Sequence, residues 1–465
     1  MTRSRTSSDV ELLVPLDRRA QEPLHRQLEA TLRTGVREGR FAAGTILPST
    51  RALAGQLGVS RAIVVEAYEQ LVPVGYLEAR PGVTTQVART VTAAPPLPAS
   101  LHPRSWEYDF RPGRPDVTEF PRAAWLRSMR RVMAEAPADR LSYLGGRGIP
   151  ELRIALAAYL NRVRGTAIEP GAVVICSGFA QGVGLIAEAL AARGARTMAV
   201  EDPSDPEYRA SITAAGLVPV GVRVDEHGLV VDDLERLDAD AVVVTAAHQY
   251  PTGGVLPADR RTALVEWAAR RGAFIVEDDY DAEFRYDREP IGALQGLRPD
   301  HVIYTGSASK TLAPGLRLGW LAAPAALVGP ITEAKQAADM GSAALDQLAL
   351  ADFIERGELD RFLRRMRPVY RGRRDALLAA LARHHPGVRP VGASAGLHVL
   401  AWLPQDIDES AVVSRASDAG IAVPGLRQRW IGAPLPGLVF GYGAITEQQI
   451  EPGIAKLAEI VRSVG

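Results

Sequence analysis

Three short stretches gather side chains that could do chemistry together, and each follows an apolar run. Ser177-Gly178-Phe179-Ala180-Gln181 follows VVIC and opens a helical pattern, so its first backbone N–H groups are free to hold a phosphate. Asp278, Asp279 and Tyr280 close FIVE, and Ser307, Ser309, Lys310 and Arg317 follow HVIYTG. Lys310 stands out because the chain has 54 basic residues, of which only Lys310, Lys335 and Lys456 are lysine. A lysine amine can lose its proton near neutrality and attack a carbonyl, which a guanidinium cannot. A phosphate cradle, an acid, a phenol, a lysine and an arginine are the parts needed to hold pyridoxal phosphate. Lys310 would form the Schiff base, Asp278 would pair with the protonated pyridine nitrogen and Arg317 would take the phosphate. No metal site is expected from the residues.

These stretches need a scaffold that brings them to one edge. From residue 108 onward, helical patterns such as Ile149 to Arg162 alternate with short apolar runs, VVIC at 173–176, MAVE at 198–201, AVVVT at 241–245, FIVED at 274–278 and HVIYTG at 301–306. Such alternation predicts an α/β domain with a mainly parallel sheet, whose ligands collect at the carboxyl ends of the strands. We expect this domain over 108–465, with a large subdomain over roughly 120–340 and a smaller C-terminal one over roughly 341–465. Residues 91–107, including VTAAPPLPASLHPR, are rich in proline and read as a semi-rigid linker.

Residues 10–90 are organised differently. Residues 1–90 carry twelve arginines and no lysine against nine acids, a modest basic excess of three. Leu24, Leu28, Leu32 and Val36 recur at helical spacing; Leu53, Ala54 and Leu57 share the face of a second helix; Val64, Ala67, Tyr68 and Leu71 form the stripe of a third. Gly58-Val59-Ser60 makes the turn between the last two, with Ser60 as N-cap candidate, and two short strands flank Arg80-Pro81-Gly82. Three helices and a hairpin describe a winged helix-turn-helix, whose third helix enters the DNA major groove by its N-terminal end, where Arg61 lies off the buried stripe.

LPSTRALAGQLGVSR, AYEQL and GYLEARPG resemble the DNA-binding domain of GntR-type bacterial regulators. The resemblance implies DNA contacts from Arg51, Ser60, Arg61, Arg80 and Gly82. Ala62 and Ile63 stand where that family often has two threonines, so base preference does not carry over. FRPGRPD, YLGGRGIPELR, HQYPTGG, EDDYDAEFRY and SKTLAPGLRLGW extend the likeness to the MocR subgroup, which joins a winged helix to an aminotransferase-like domain of fold type I. That resemblance implies Lys310 as the Schiff-base lysine, Asp278 as pyridine partner and Tyr280 as donor to the cofactor's phenolate oxygen. It gives the phosphate to Ser307, Ser309, Arg317 and the backbone of Phe179 and Ala180, and draws Tyr143 from the partner subunit of a head-to-tail homodimer.

Two departures bear on function. Asp205 occupies the position where many relatives stack an aromatic on the pyridine ring, with Tyr208 three residues further on. Val439 replaces an arginine that grips an amino acid's carboxylate in many relatives, and Arg427 and Arg429 lie nearby in sequence. Losing that clamp damages substrate orientation. The expected function is therefore a pyridoxal-phosphate-binding regulator that binds operator DNA and responds to a small molecule, including the vitamer itself. The alternatives are a regulator responding to an amino acid or amine through a Schiff base, an active aminotransferase with an accessory DNA module, and a scaffold without cofactor. One cysteine excludes an internal disulfide, and neither a signal-peptide pattern nor a membrane-spanning apolar run appears, which fits a soluble cytoplasmic protein.

Overall fold

The computed structural model describes residues 14–79, 85–89, 105–286 and 291–464, and the chain divides into two compact units, Met1–Arg104 and Ser105–Gly465. In the first unit α1 (Leu24–Arg37), α2 (Thr50–Leu57) and α3 (Arg61–Leu71) pack Leu28, Leu32, Val36, Leu53, Val64, Ala67, Tyr68 and Leu71 into one core. Ser49 caps α2 by accepting from the Ala52 N–H at 3.2 Å, and Gly58 ends it at a φ of 63°, the left-handed position that favours glycine. β1 (Leu77–Ala79) and β2 (Thr85–Val87) pair antiparallel as a hairpin, Leu77 opposite Val87.

The second unit begins with β3 (Tyr108–Asp109), α4 (Arg122–Glu135) and α5 (Pro150–Arg164). Of the expected linker, residues 91–104 lie outside the described residues. The Glu107 N–H already donates to Gly420 O within the second unit, at 3.0 Å. The central sheet contains β4 (Val173–Cys176), β5 (Thr197–Asp202), β6 (Val218–Asp225), β7 (Gly228–Leu229), β8 (Ala241–Val244), β9 (Phe274–Asp278), β10 (Val302–Ser307) and β11 (Gly319–Ala322). Their order is β4-β11-β10-β9-β8-β5-β6-β7. The β6–β5–β8–β9–β10 run is parallel, while β11 is antiparallel to both β10 and β4. β11 begins at the end of SKTLAPGLRLGW, where the stretch after Lys310 turns back into the sheet. The apolar runs of the sequence thus fall on buried strands, as a sheet covered on both faces requires. A smaller antiparallel sheet of Arg389–Val391, His398–Trp402 and Gly437–Gly441 belongs to the C-terminal part.

The end of β9 is fixed by a buried ion pair. Arg164, the last residue of α5, donates from Nε and Nη2 to the two Asp279 carboxylate oxygens at 2.7 and 3.0 Å. Tyr304 of β10 donates its hydroxyl to the same carboxylate at 2.7 Å. All three side chains are buried. Removing one partner of a buried pair strands the other charge, so Asp279→Ala should lower the unfolding free energy of this unit by about 3–5 kcal/mol. A urea titration followed by tryptophan fluorescence measures it, since the tryptophans of this chain, Trp106 onward, lie in the second unit; a loss below about 1 kcal/mol would mean that the pair contributes little.

Candidate functional site

A cavity of about 240 Å³ opens where the ends of β5, β8, β9 and β10 converge, and Asp278, Tyr280, Ser307, Ser309, Lys310, Arg317, Phe179 and Ala180 all line it. The side chains along a strand alternate between faces. With Asp279 turned inward onto Arg164, Asp278 and Tyr280 are left on the pocket side. Asp278 is half-buried, and its carboxyl has no hydrogen-bond partner among the described residues. Burial pushes it well above the usual carboxylate range, while the nearby Lys310 ammonium pulls it back.

Lys310 sits in the short helical turn Ala308–Thr311 directly after β10. Ser307 Oγ accepts from the Ser309 N–H at 2.9 Å and so starts that turn. The Lys310 Nζ donates to Gly113 O at 2.9 Å, its one hydrogen bond among the described residues. Gly113 has a φ of 71°, and a Cβ there would come within 2.8 Å of Nζ, so the close approach needs glycine.

The phosphate side is assembled from three elements. α6 (Phe179–Ala192) follows Gly178, whose φ of 110° only glycine adopts easily, and the first N–H groups of a helix have no partner within it. The Ser309 hydroxyl and the exposed Arg317 guanidinium have no protein partner among the described residues. Arg317 adopts a φ of 50°, unusual for a side-chain-bearing residue and of order 1–3 kcal/mol in strain. An unpartnered acid, an unpartnered guanidinium, a lysine amine held by one carbonyl and a free helix N-terminus match the pyridine nitrogen, phosphate and aldehyde of pyridoxal phosphate.

Other expected residues stand differently. Tyr143 is 89% exposed and does not line the cavity. Asp205 lines the cavity and caps α7 (Pro206–Ala214), accepting from the Glu207 N–H at 2.9 Å. Tyr208, three residues further on in sequence, also lines the cavity from the first turn of α7, edge-to-face with Phe179 at 5.6 Å. Val439 is wholly buried and packs with Leu400 and Leu426. Arg427 is exposed and does not line the cavity, while Arg429 bonds Tyr250 of the cavity wall.

Among the lining residues that the sequence did not single out are His398, Asp281 and Tyr250. Asp281 and Tyr250 lie within the stretches EDDYDAEFRY and HQYPTGG, but nothing in the pattern around His398 marks it. His248, also from HQYPTGG, meets Asp281 Oδ2 through Nδ1 at 3.0 Å and Gly392 O through Nε2 at 3.1 Å. Tyr280 donates to His248 O at 3.0 Å, with its oxygen 3.2 Å from His248 Nδ1. The ligating atoms of His248, Asp281 and His398 lie within 4.8 Å of one another, a spacing a cation could occupy. His398 Nε2 lies 3.2 Å from Pro251 O, so backbone carbonyls and a carboxylate already account for most of these ring nitrogens.

In the first unit, Arg51 and Arg61 are exposed. Arg61 Nε donates to Thr50 Oγ1 at 3.2 Å, tying the start of α3 to the start of α2. Ser60 occupies the N-cap position of α3, but its hydroxyl makes no capping bond, so the expected cap is positional only. Arg80 and Gly82 lie outside the described residues.

Residues 24–87 match the family described as bacterial regulatory proteins, gntR family, and residues 113–429 match aminotransferase class I and II. The chain is 33% identical to the HTH-type pyridoxine biosynthesis transcriptional regulator PdxR of Corynebacterium glutamicum, over 96% of this chain and 98% of that protein. It is 32% identical to the probable rhizopine catabolism regulatory protein MocR of Rhizobium meliloti, over 96% and 95%. Among solved structures, an archaeal alanine:glyoxylate aminotransferase superposes with a TM-score of 0.72 at 26% identity, covering 78% of this chain and 92% of the other. With a GntR helix-turn-helix joined to a fold type I aminotransferase domain along its length, the chain belongs to the MocR-type GntR family of transcriptional regulators.

Proposed function

We propose that this chain acts as a homodimeric operator-binding regulator that holds pyridoxal phosphate at Lys310 and uses occupancy of that pocket as its signal. The observation that carries the reading is the set of unpartnered groups converging on one cavity, Asp278, Arg317 and the α6 N-terminus around the Lys310 amine. When bound, the cofactor would supply an electrophilic carbonyl carbon and a cationic ring that withdraws electrons.

The protein's own groups divide the work. The Lys310 amine, which donates to Gly113 O, would hold the cofactor through its aldehyde carbon, the carbonyl oxygen leaving as water. Asp278, its carboxyl raised by burial and unpaired among the described residues, would face the ring nitrogen and share its proton. Tyr280 would turn its hydroxyl from His248 O to the ring oxygen. Arg317, Ser307, Ser309 and the Phe179 and Ala180 N–H groups would take the phosphate, through contacts of the strong charge-assisted kind. Tyr208 and Phe179 supply apolar ring surface beside Asp205, in place of the stacking residue of many relatives.

A sensing role is preferred over turnover because Lys310 and Arg317 are the cations among the lining residues, and both have a use on the cofactor. No second guanidinium remains there to orient a substrate carboxylate. The likeness to a regulator named for pyridoxine biosynthesis supports the vitamer as the signal.

Protein saturated with pyridoxal phosphate should absorb in the visible and become covalently labelled on borohydride reduction. Lys310→Ala should lose both properties; if the variant keeps the spectrum and the label, another residue carries the cofactor. Arg317→Ala should keep the covalent label but weaken cofactor affinity by about 1.5–3 kcal/mol, the scale of a hydrogen bond to a charged group.

On the DNA side, Arg61→Ala should cost about 1–3 kcal/mol and relax specificity at one base pair if Arg61 reads a base, or lower the salt slope by about one if it meets a phosphate. Anisotropy titrations of the chain's own upstream DNA at several salt concentrations distinguish these, and unchanged affinity and slope would remove Arg61 from the interface.

A further inference from the structure

Lys335, one of the chain's three lysines, is fully buried on the helix Ala325–Asp339, one turn before that helix ends. Its Nζ donates to both carboxylate oxygens of Asp339, at 2.5 and 2.6 Å, and to Ser342 Oγ at 3.0 Å. An ammonium has three protons on one nitrogen, so the group is fully satisfied by two neighbours. Asp339 in turn accepts from Gln181 Nε2 at 2.9 Å, and Gln181 Oε1 accepts from the Ser177 N–H at 2.8 Å.

That chain of bonds ends at the cofactor cavity. Ser177, Gly178, Phe179 and Ala180 line the cavity, whereas Gln181, Asp339 and Lys335 do not. Gln181 is the third residue of α6, and its side chain reaches back over the helix start as a glutamine does in a capping box. It pins the Ser177-Gly178 turn and leaves the Phe179 and Ala180 N–H groups to the pocket. A backbone N–H only donates and a carboxylate only accepts, so one orientation of the Gln181 amide satisfies both partners. Asp339 therefore decides which way the amide faces. Lys335 neutralises the acid that would otherwise stand behind a phosphate site. The charges of Lys335, Asp339 and Arg317 all act on the Cys176 thiol at the end of β4, which places this pair near the phosphate side of the cavity.

We propose that Gln181, oriented by Asp339 and Lys335, is the positioning residue of the phosphate cradle, and that these three side chains set the preference for a phosphorylated over an unphosphorylated vitamer. The inference rests on the cofactor reading above and extends it to residues outside the cavity wall. A packing role alone would weaken both vitamers alike.

The experiment measures the affinity of the full-length protein for pyridoxal phosphate and for pyridoxal, each followed by its visible band, and takes the ratio. The two vitamers share the aldehyde and the ring, and the solution chemistry of each is common to all variants. A change in the ratio therefore reports the phosphate end. Gln181→Met, similar in shape but without the amide, should lower the ratio by about tenfold, the scale of one hydrogen bond to a charged group, and leave pyridoxal affinity within about twofold. Lys335→Met with Asp339→Ala, which removes both charges together, should lower the ratio in the same direction. Adding Gln181→Met to that pair should lower it no further, because the pair acts through Gln181. Should the pair not fold, Gln181→Met, at a half-buried position, decides alone. The proposal is overturned if Gln181→Met keeps the wild-type ratio, if both vitamers weaken alike, or if the losses multiply in the triple variant. Wild-type protein that binds the two vitamers equally would also overturn it, with Lys310 still holding the aldehyde. Wild-type protein that develops a visible band with neither vitamer would defeat the cofactor reading itself.

Discussion

One carboxylate sets the register of the site. Asp279 accepts both prongs of the Arg164 guanidinium and the hydroxyl of Tyr304, and so ties the end of α5, the end of β9 and the body of β10 to a single buried point. Because side chains alternate along β9, fixing Asp279 inward turns Asp278 and Tyr280 outward into the cavity. Tyr304 lies on the strand that ends in Ser307 and leads into Lys310, so the acid and the amine are positioned by the same anchor. A one-residue slip of β9 would bury Asp278 and present Asp279 to the ligand. The buried pair is better understood as specifying this arrangement than as a source of stability, since desolvation offsets much of its attraction.

Around that anchor the pocket is built from backbone geometry that other residues would not tolerate. Gly113 and Gly178 adopt positive φ where the chain passes closest to Lys310 and to the start of α6. Arg317 holds a left-handed conformation at a φ of 50° while its guanidinium has no protein partner among the described residues. Strain held at an unsatisfied charged group fits a position shaped for a ligand. The same logic accounts for Asp278, whose carboxyl is raised by burial and has no hydrogen-bond partner among the described residues.

The sequence made the strand ends legible because the apolar runs are short, continuous and followed at once by polar residues, the pattern of strands buried on both faces. The Asp278–Asp279–Tyr280 order was readable as chemistry, but the reason Asp279 turns away from the cavity, Arg164, lies more than a hundred residues away. β11 was hidden because it begins within a motif read for its arginine. That Tyr208 lines the cavity was not visible from counting along the chain, since the first turn of α7 carries it there. The bonding of Tyr250 to Arg429 and of His248 to Asp281 had no local signal, because each pair is joined only by tertiary folding. Lysine rarity was a weaker clue than it seemed: Lys335 is as rare as Lys310, yet it is fully buried in bonds to Asp339 and Ser342.

For occupancy of this pocket to control DNA, the cofactor must bind two states of the protein with different affinity, because a ligand with equal affinity for both shifts nothing. Linkage then requires that operator DNA change cofactor affinity by the same factor that the cofactor changes operator affinity. The most direct measurement is therefore a pair of titrations at one salt concentration: operator affinity with and without saturating pyridoxal phosphate, and cofactor affinity with and without saturating operator. The account predicts two equal ratios that differ from one by fivefold or more, the lower end of typical coupling. Ratios of one in both directions, from a protein that binds both ligands, would contradict it.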